Sequence, residues 1–290
     1  MRLLIVTAAD EGYATLLKGL VESLFQWGPP IHGELGVLDL DLSPETLEWL
    51  AQYEVHIVKP GWDIPIDADL ARERPGLRAM TARPFLPRHF PGYDMYLWLD
   101  ADTWVQQPFA LDWLAAAAAT GKMAIVPQID RFYRHSPLAV HWRIDSLRCY
   151  FGQVPIEALL MQTYVNSGVF ALHAGAPHWE LWGEWMKQGI EACGGRLVTD
   201  QTALNFMLWM ERLPVYPLPS RCNWTCHLAL PEYRMATGLF HEPGIPGEPL
   251  GILHLTHRMK DQSVTARGTD GRAVEVSLRF DPARARDRAP

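Results

Sequence analysis

"YLWLDADTW", residues 96–104, carries an apolar run into two aspartates one residue apart. An unbroken stretch of large apolar residues reads as a strand buried on both faces, and such strands belong to sheets covered by helices. Neither Asp100 nor Asp102 can serve a core. Residues i and i+2 of an extended segment project to the same side, with small Ala101 between them, so the strand ends in two carboxylates facing one place. Such a pair repels unless a cation lies beside it. The pattern D-x-D is too short to decide anything alone. Two further copies occur, at Asp39 and Asp41 and at Asp67 and Asp69. The first runs into Ser43-Pro44 and a helix, the second lies in a charged loop, and both read as caps of the next turn.

The flanking sequence supplies the sheet. "RLLIV" (2–6) is a short buried strand. Residues 12–27 then place Leu16, Leu17, Leu20, Val21, Leu24 and Phe25 at helical spacing, and Gly28-Pro29-Pro30 stops that helix. "LGVLDLDL" (35–42) is a second strand, Ser43 caps a helix opening at Pro44, and "EVHIV" (54–58) is a third strand. This alternation predicts an α/β domain with a largely parallel sheet. A helix near 77–90 precedes the quoted strand. Downstream come a helix at 111–121, a strand at 122–128, a strand at 165–173 and a Trp-rich helix at 177–192. A helix at 200–212 with Thr199 as cap and a strand at 250–257 follow. Residues 131–153, aromatic and His-rich, read as an irregular excursion over the sheet. No internal repeat or long linker appears, so one domain is expected over 1–263. Residues 264–290 would add one strand (273–280) and an Arg-rich, solvated end.

Composition narrows the class. The 290 residues are 48% hydrophobic and 20% charged, as in ordinary soluble domains. A net charge of −7 with no basic stripe excludes a nucleic-acid partner. The C-terminal arginines are too few to favour a membrane-surface contact. Cys149, Cys193, Cys222 and Cys226 are too few and too scattered for a disulfide framework. The apolar N-terminal run is broken by Asp10 and Glu11, unlike a signal peptide, and no window is long enough to span a membrane. A reduced, cytoplasmic protein is the expectation.

Ligands of open α/β sheets bind beyond the carboxyl ends of the strands, where Asp100 and Asp102 stand. A hard divalent ion, Mg²⁺ or Mn²⁺, completed by phosphate oxygens of a substrate, suits that pair. The loop "VTAADEGY" (6–13) approaches the same end and offers small Ala8 and Ala9 for close contact, with Tyr13 able to stack on a base or simply to pack. It holds neither G-x-G-x-x-G nor a Walker sequence, which argues against dinucleotide and P-loop binding. "HLTHRMKD" (254–261) delivers His254, His257 and Lys260, an imidazole as a third metal ligand and an ammonium for phosphate, with His257 counted among the donor-binding residues; imidazole favours Mn²⁺ over Mg²⁺. Trp179, Trp182 and Trp185 recur at three-residue spacing and read as core. "RCNWTCH" (221–227) has one Cys pair and no second, too little for a zinc site. His135, His141 and Trp142 are the acceptor-side candidates.

These motifs, in this order, resemble the family 8 glycosyltransferases, retaining enzymes of the GT-A fold that use UDP-sugars and Mn²⁺; the resemblance runs from about residue 3 to 261. It implies a Rossmann-like mixed, mostly parallel sheet flanked by helices. "VTAADEGYA" is similar to the family's opening loop, which puts Thr7, Asp10 and Tyr13 around the uridine. Arg83 in "TARPFLP" matches a donor-contacting basic residue. "LWLDADTWV" is similar to the metal motif, making Asp100 and Asp102 ligands with Ala101 near the ribose. "VNSGVFAL" places Asn166 against the donor sugar, and "TDQTALN" gives Asp200 and Gln201 roles beside the reacting carbon. The closing H-x5-K supplies His254 for the metal and Lys260 for the diphosphate. The family usually has Gly where this chain has His257, and Pro-Trp where it has Asp261-Gln262, a departure expected to alter the loop over the diphosphate.

The resemblance implies transfer of a hexose from a UDP-hexose to a carbohydrate or glycoconjugate acceptor, by attack on the same face as the leaving group. Two other readings use the same residues: a sugar nucleotidyltransferase, which the missing Gly- and Lys-rich loop disfavours, and an inactive UDP-sugar- or glycan-binding homologue, which His257 favours.

Overall fold

Strands that send alternate side chains into two cores explain the continuous apolar runs. A computed structural model describes residues 1–27, 33–152, 161–267 and 273–286. In β1 (Leu3–Ala9), Leu4, Val6 and Ala8 enter one core, while Ile5 and Ala9 enter the other. Counting strands in chain order, β4 (Met95–Leu99) divides likewise, with Tyr96 and Trp98 on the first side and Met95, Leu97 and Leu99 on the second.

The central sheet also contains β2 (Glu34–Asp39), β3 (His56–Val58), β6 (Met123–Pro127), β7 (Val165–His173) and β8 (Val215–Pro217). Its order is β3-β2-β1-β4-β7-β6-β8. Pairings β1–β2, β2–β3, β1–β4 and β6–β8 are parallel, and β7 runs antiparallel to both β4 and β6. The sheet is therefore mixed and mostly parallel, as the sequence predicts. One face is covered by α1 (Ala14–Phe25), through Leu17, Leu20 and Val21, and by Leu111 and Leu114 of α3 (Phe109–Ala118); α2 is Pro44–Leu50. The other face is covered by α5 (His178–Ala192) and α6 (Asp200–Glu211), while α4 is Pro137–Phe151. Trp179 and Trp182 are buried in that second layer and Trp185 meets Phe206 edge-on at 5.0 Å, which accounts for the tryptophan stripe.

Several boundaries move for local reasons. The second strand stops at Asp39 because its Oδ1 accepts from the backbone N–H groups of Asp41 and Leu42 and turns the chain. Asp67 caps Ala68–Glu73 through the N–H groups of Asp69 and Leu70. The helix expected near 77–90 is divided into Arg78–Ala82 and Leu86–His89, with a tighter turn at Arg83–Phe85 where Pro84 and Pro87 lack an N–H. Ser43 and Thr199 cap their helices as expected. The expected stop at Gly28-Pro29-Pro30 lies outside the described residues.

Residues 131–152 are largely helical, which corrects the irregular reading; 153 lies outside the described residues. α4 opens on Ser136, whose hydroxyl accepts from the Ala139 N–H at 3.1 Å, and buries only Ser146, Leu147 and Tyr150. The four cysteines also hold one bridge that the sequence did not suggest, joining Cys149 of α4 to Cys193 just past α5. Cys222 and Cys226 are free and buried.

A third core is built by the C-terminal segments around Trp104. β5 (Thr103–Val105) pairs antiparallel with β12 (Ile252–His254), which pairs in turn with β9 (Trp224–Thr225), while β10 (Glu232–Arg234) and β11 (Leu239–His241) pair antiparallel with each other. β13 (Ser263–Arg267) and β14 (Ala273–Ser277) form an antiparallel hairpin. Leu278, just beyond it, is buried and accepts at its carbonyl from Trp104 Nε1 at 2.8 Å. The 273–280 strand is thus shorter than expected and has an unforeseen partner.

Candidate functional site

Backbone pairing brings three chain-distant segments to one point. β4 ends at Leu99, and the Asp100 N–H donates to the Gly168 carbonyl of β7 at 2.8 Å. The β5–β12 register sets His254 opposite Thr103, and the Leu255 N–H donates to the Asp102 carbonyl at 2.8 Å. Asp100, Asp102 and His254 consequently present ligand atoms all within 4.8 Å of one another, the one such cluster among the described residues. His254 Nε2 stands 3.2 Å from Asp102 Oδ1 and 3.7 Å from Asp100 Oδ2.

The other imidazole nitrogen fixes what Nε2 can do. Asn223 Nδ2 donates to Asn166 Oδ1 at 2.9 Å, which leaves Asn223 Oδ1 to accept from His254 Nδ1 at 2.9 Å. A neutral His254 then carries its proton on Nδ1, and its Nε2 lone pair faces two carboxylates. Three electron-rich atoms converging in a buried place require a proton or a cation between them. Two carboxylates and one imidazole form a donor set that fits a divalent cation.

The remaining carboxylate oxygens are already committed. Asp100 Oδ1 accepts from Trp98 Nε1 at 2.8 Å and from Arg83 Nη2 at 2.5 Å. Asp102 Oδ2 pairs with Lys260 Nζ at 3.1 Å. Burial works to raise the Asp102 carboxyl, but when a proton on His254 Nε2 takes the place of a cation, its hydrogen bond and charge, together with the charge of Lys260, outweigh burial and hold the carboxyl below the usual carboxylate range. Arg83 is itself buried, stacked 4.4 Å over Trp98, and joins Asp100 to Asp200 while donating to Ser167 Oγ at 3.0 Å. Burial opposes its charge, yet Asp100 and Asp200 raise its proton affinity above the ordinary value.

Asp200 is the first residue of α6, behind the Thr199 cap. The next residue, Gln201, accepts at Oε1 from Asn166 Nδ2 at 3.0 Å and from the Ser167 N–H at 3.1 Å. A chain of contacts therefore runs Gln201–Asn166–Asn223–His254. Asn223, fully buried, lies in the Pro-rich segment and escaped sequence reasoning. Gly168 escaped it too: a Cβ there would come within 2.4 Å of His254 Cε1 and 2.5 Å of Asp100 Oδ2.

Beside this centre opens a cavity of about 500 Å³, lined by Ala8, Ala9, Asp10, Tyr13, Arg83 and Ala101 together with both metal-motif aspartates. Asp10 Oδ1 accepts from the Tyr13 N–H at 3.2 Å and shapes the loop. Tyr13 holds Lys260, whose Nζ donates to its hydroxyl at 2.8 Å and lies 4.5 Å from the ring centre. Thr7 is not at the cavity wall. It is buried in β1, and its hydroxyl has no partner among the described residues. His257 is exposed, packs edge-on against His227 at 4.4 Å, and has a left-handed backbone with φ of 56°. Of the acceptor-side candidates, His141 and Trp142 are exposed on α4, while His135 Nε2 donates to the Gln128 carbonyl at 3.0 Å. Cys222 and Cys226 have thiols pushed up to about 12 by burial and form no metal cluster with His227 among the described residues.

No family model matches the chain, and no curated protein matches it. Solved structures do. The galactosyltransferase LgtC, in complex with donor and acceptor sugar analogs, is similar over 88% of both chains, at 18% identity and a TM-score of 0.57. The bifunctional glycosyltransferase WbbM is similar over 90% of this chain and 47% of its own, at 15% identity and a TM-score of 0.55. Mouse xyloside xylosyltransferase 1 is similar over 87% of this chain and 96% of its own, at 12% identity and a TM-score of 0.52. These likenesses establish the GT-A fold. No helix among the described residues is long and apolar enough to cross a membrane.

Proposed function

We propose that this protein is a retaining, Mn²⁺-dependent glycosyltransferase of family 8 that moves a hexose from a UDP-hexose to a carbohydrate or glycoconjugate acceptor. The observation that carries the reading is the Asp100–Asp102–His254 cluster, with the His254 lone pair turned toward both carboxylates, at the wall of the 500 Å³ cavity. Galactosyl and xylosyl transfer are named for neighbours of the same fold, and the nucleotide-sized cavity supports a sugar-nucleotide donor here.

Asp100 Oδ2, Asp102 Oδ1 and His254 Nε2 would hold the ion, which supplies charge neutralisation at the departing diphosphate. Lys260, now shared between Asp102 and Tyr13, is the residue that adds a second positive charge to that leaving group. Ala8 and Ala9 leave room for the nucleotide, and Tyr13 offers a ring at its edge. Asn166 and Gln201 form one hydrogen-bonded unit beside the centre and orient the sugar. Asp200 is tied to Arg83, so its carboxylate is better suited to stabilising positive charge on the sugar than to attacking it. That favours attack by the acceptor hydroxyl on the face the diphosphate leaves.

The test is release of UDP from a panel of UDP-hexoses with Mn²⁺, comparing wild type with Asp102→Asn. Turnover of one donor, abolished by chelation and by the substitution, supports the assignment and names the sugar. A glycosyl adduct on Asp200 detected by mass spectrometry would replace same-face attack with a covalent mechanism. UDP binding without turnover of any donor would move the assignment to an inactive binding homologue, the reading that His257 favours.

A further inference from the structure

We infer that Arg143, with His135 beside it, binds a negatively charged group, a carboxylate or phosphate ester, carried by the acceptor. This rests on the transferase reading and adds the acceptor's chemical class. The nucleotide cavity is walled by the N-terminal loop, Trp98 and the two metal-motif aspartates. Arg143 is not part of that wall; its guanidinium lies 4.1 Å from the ring centre of Tyr164. Tyr164 lies two residues before Asn166 and beside Gln201 and Thr202. His227, adjoining His257, lies within electrostatic reach of Arg143, His135 and His254 at once; burial and these neighbours hold it down to about 3, so the ring is neutral at pH 7.

Among the described residues, the groups that contact the guanidinium are uncharged. Arg143 Nη2 donates to Gln128 Oε1 and to His135 Nδ1, the latter at 3.4 Å. His135 donates its Nε2 proton to the Gln128 carbonyl, so Nδ1 of the neutral ring is free to accept. Gln128 is buried. Arg143 Nε and Nη1 make no hydrogen bond to a described residue. No carboxylate among the described residues stands close enough to strengthen its hold on its proton, which burial weakens. Arg83, Arg78, Arg221 and Arg284 all have acidic partners. With no acidic partner among the described residues, a half-buried guanidinium held by an amide, an imidazole and a phenol ring suits an anion, and its planar donors match carboxylate or phosphate oxygens.

The experiment titrates full-length protein with methyl glucoside, methyl glucuronide and glucose 6-phosphate by calorimetry, in wild type, Arg143→Gln and Arg143→Lys. Donor hydrolysis by the wild type is measured in parallel. The expected result is about tenfold tighter binding of at least one anionic sugar than of the neutral one. That preference shrinks with added salt, disappears in Arg143→Gln and survives in part in Arg143→Lys. Which anionic sugar gains separates a uronic-acid acceptor from a phosphorylated one. Equal binding of all three sugars, or a preference that persists in Arg143→Gln with an unchanged melting temperature, overturns the inference. Absence of hydrolysis of every UDP-hexose would instead count against the transferase reading, and the sugar titration still decides the role of Arg143.

Discussion

Replacing Gly168 by alanine tests the metal centre with one methyl group. The added Cβ would lie 2.4 Å from His254 Cε1 and 2.5 Å from Asp100 Oδ2, about 1 Å inside ordinary contact for both. The strand cannot retreat easily. The Gly168 carbonyl accepts from the Asp100 N–H at 2.8 Å, and its own N–H donates to Asn166 Oδ1 at 3.0 Å. The two ligands must therefore move apart. Metal sites tolerate ligand displacements of only about 0.2 Å, so a shift near 1 Å removes at least one of three protein ligands. We expect Gly168→Ala to weaken Mn²⁺ binding roughly 100-fold, about 2.7 kcal/mol. Calorimetric titration with Mn²⁺ measures this, and a thermal melt distinguishes loss of ligands from loss of fold. Unchanged Mn²⁺ affinity in a folded variant would mean that Asp100 and His254 are not ligands of one ion.

The second sphere gives an independent check, since Asn223→Ala frees the His254 ring to adopt the other tautomer. Mn²⁺ affinity is expected to fall about 10- to 100-fold with little change in melting temperature. Arg83→Met leaves Asp100 and buried Asp200 without their shared counter-charge; urea denaturation should register a loss of about 3–5 kcal/mol, and a loss below about 1 kcal/mol would count against this bridge. At the start of β2, hydrogen bonds from Tyr93, Arg2 and His56 lower the Glu34 carboxyl from 4.5 to about 2. A depressed folded-state value stabilises the protein above 4.5, and that contribution is lost as pH falls toward about 2. Stability measured across this window should depend less steeply on pH in Glu34→Gln than in wild type. Cys222 and Cys226, with thiols near 12, should resist a thiol reagent at pH 8 in the folded protein and react on unfolding.

What the sequence revealed was local. The two-faced strands, the Ser43 and Thr199 caps, and the aspartates at the end of β4 each follow from a few neighbouring residues. What it concealed depends on pairing across the chain. Asn223 reaches His254 because β9 lies parallel to β12, with Thr225 opposite His254, and nothing near Asn223 in sequence signals that register. Gly168 matters through the atoms of two other segments. The helix α4 was missed because most of its surface faces solvent, Leu138 and Trp142 included, so its apolar residues show no stripe. Arg143 was hidden inside that misread segment. The β13–β14 hairpin was half seen, since Leu278 finds its partner at Trp104, far back in the chain.

His257 brings both levels together. The resemblance expects glycine at this position, and a large side chain suggested an altered loop. The backbone there has a φ of 56°, the left-handed region that glycine enters freely and other residues enter at about 1 kcal/mol or more. The chain thus keeps a glycine-like turn and carries an imidazole on it. The ring is directed against His227, at 4.4 Å, while three residues later Lys260 still reaches Asp102 and Tyr13. His257 thus leaves the Lys260 contacts in place and adds a ring beside His227, which lies within the electrostatic reach of Arg143. On the proposed reading, this departure from the glycine that the resemblance expects therefore bears more directly on what the acceptor side recognises than on how the donor side is closed.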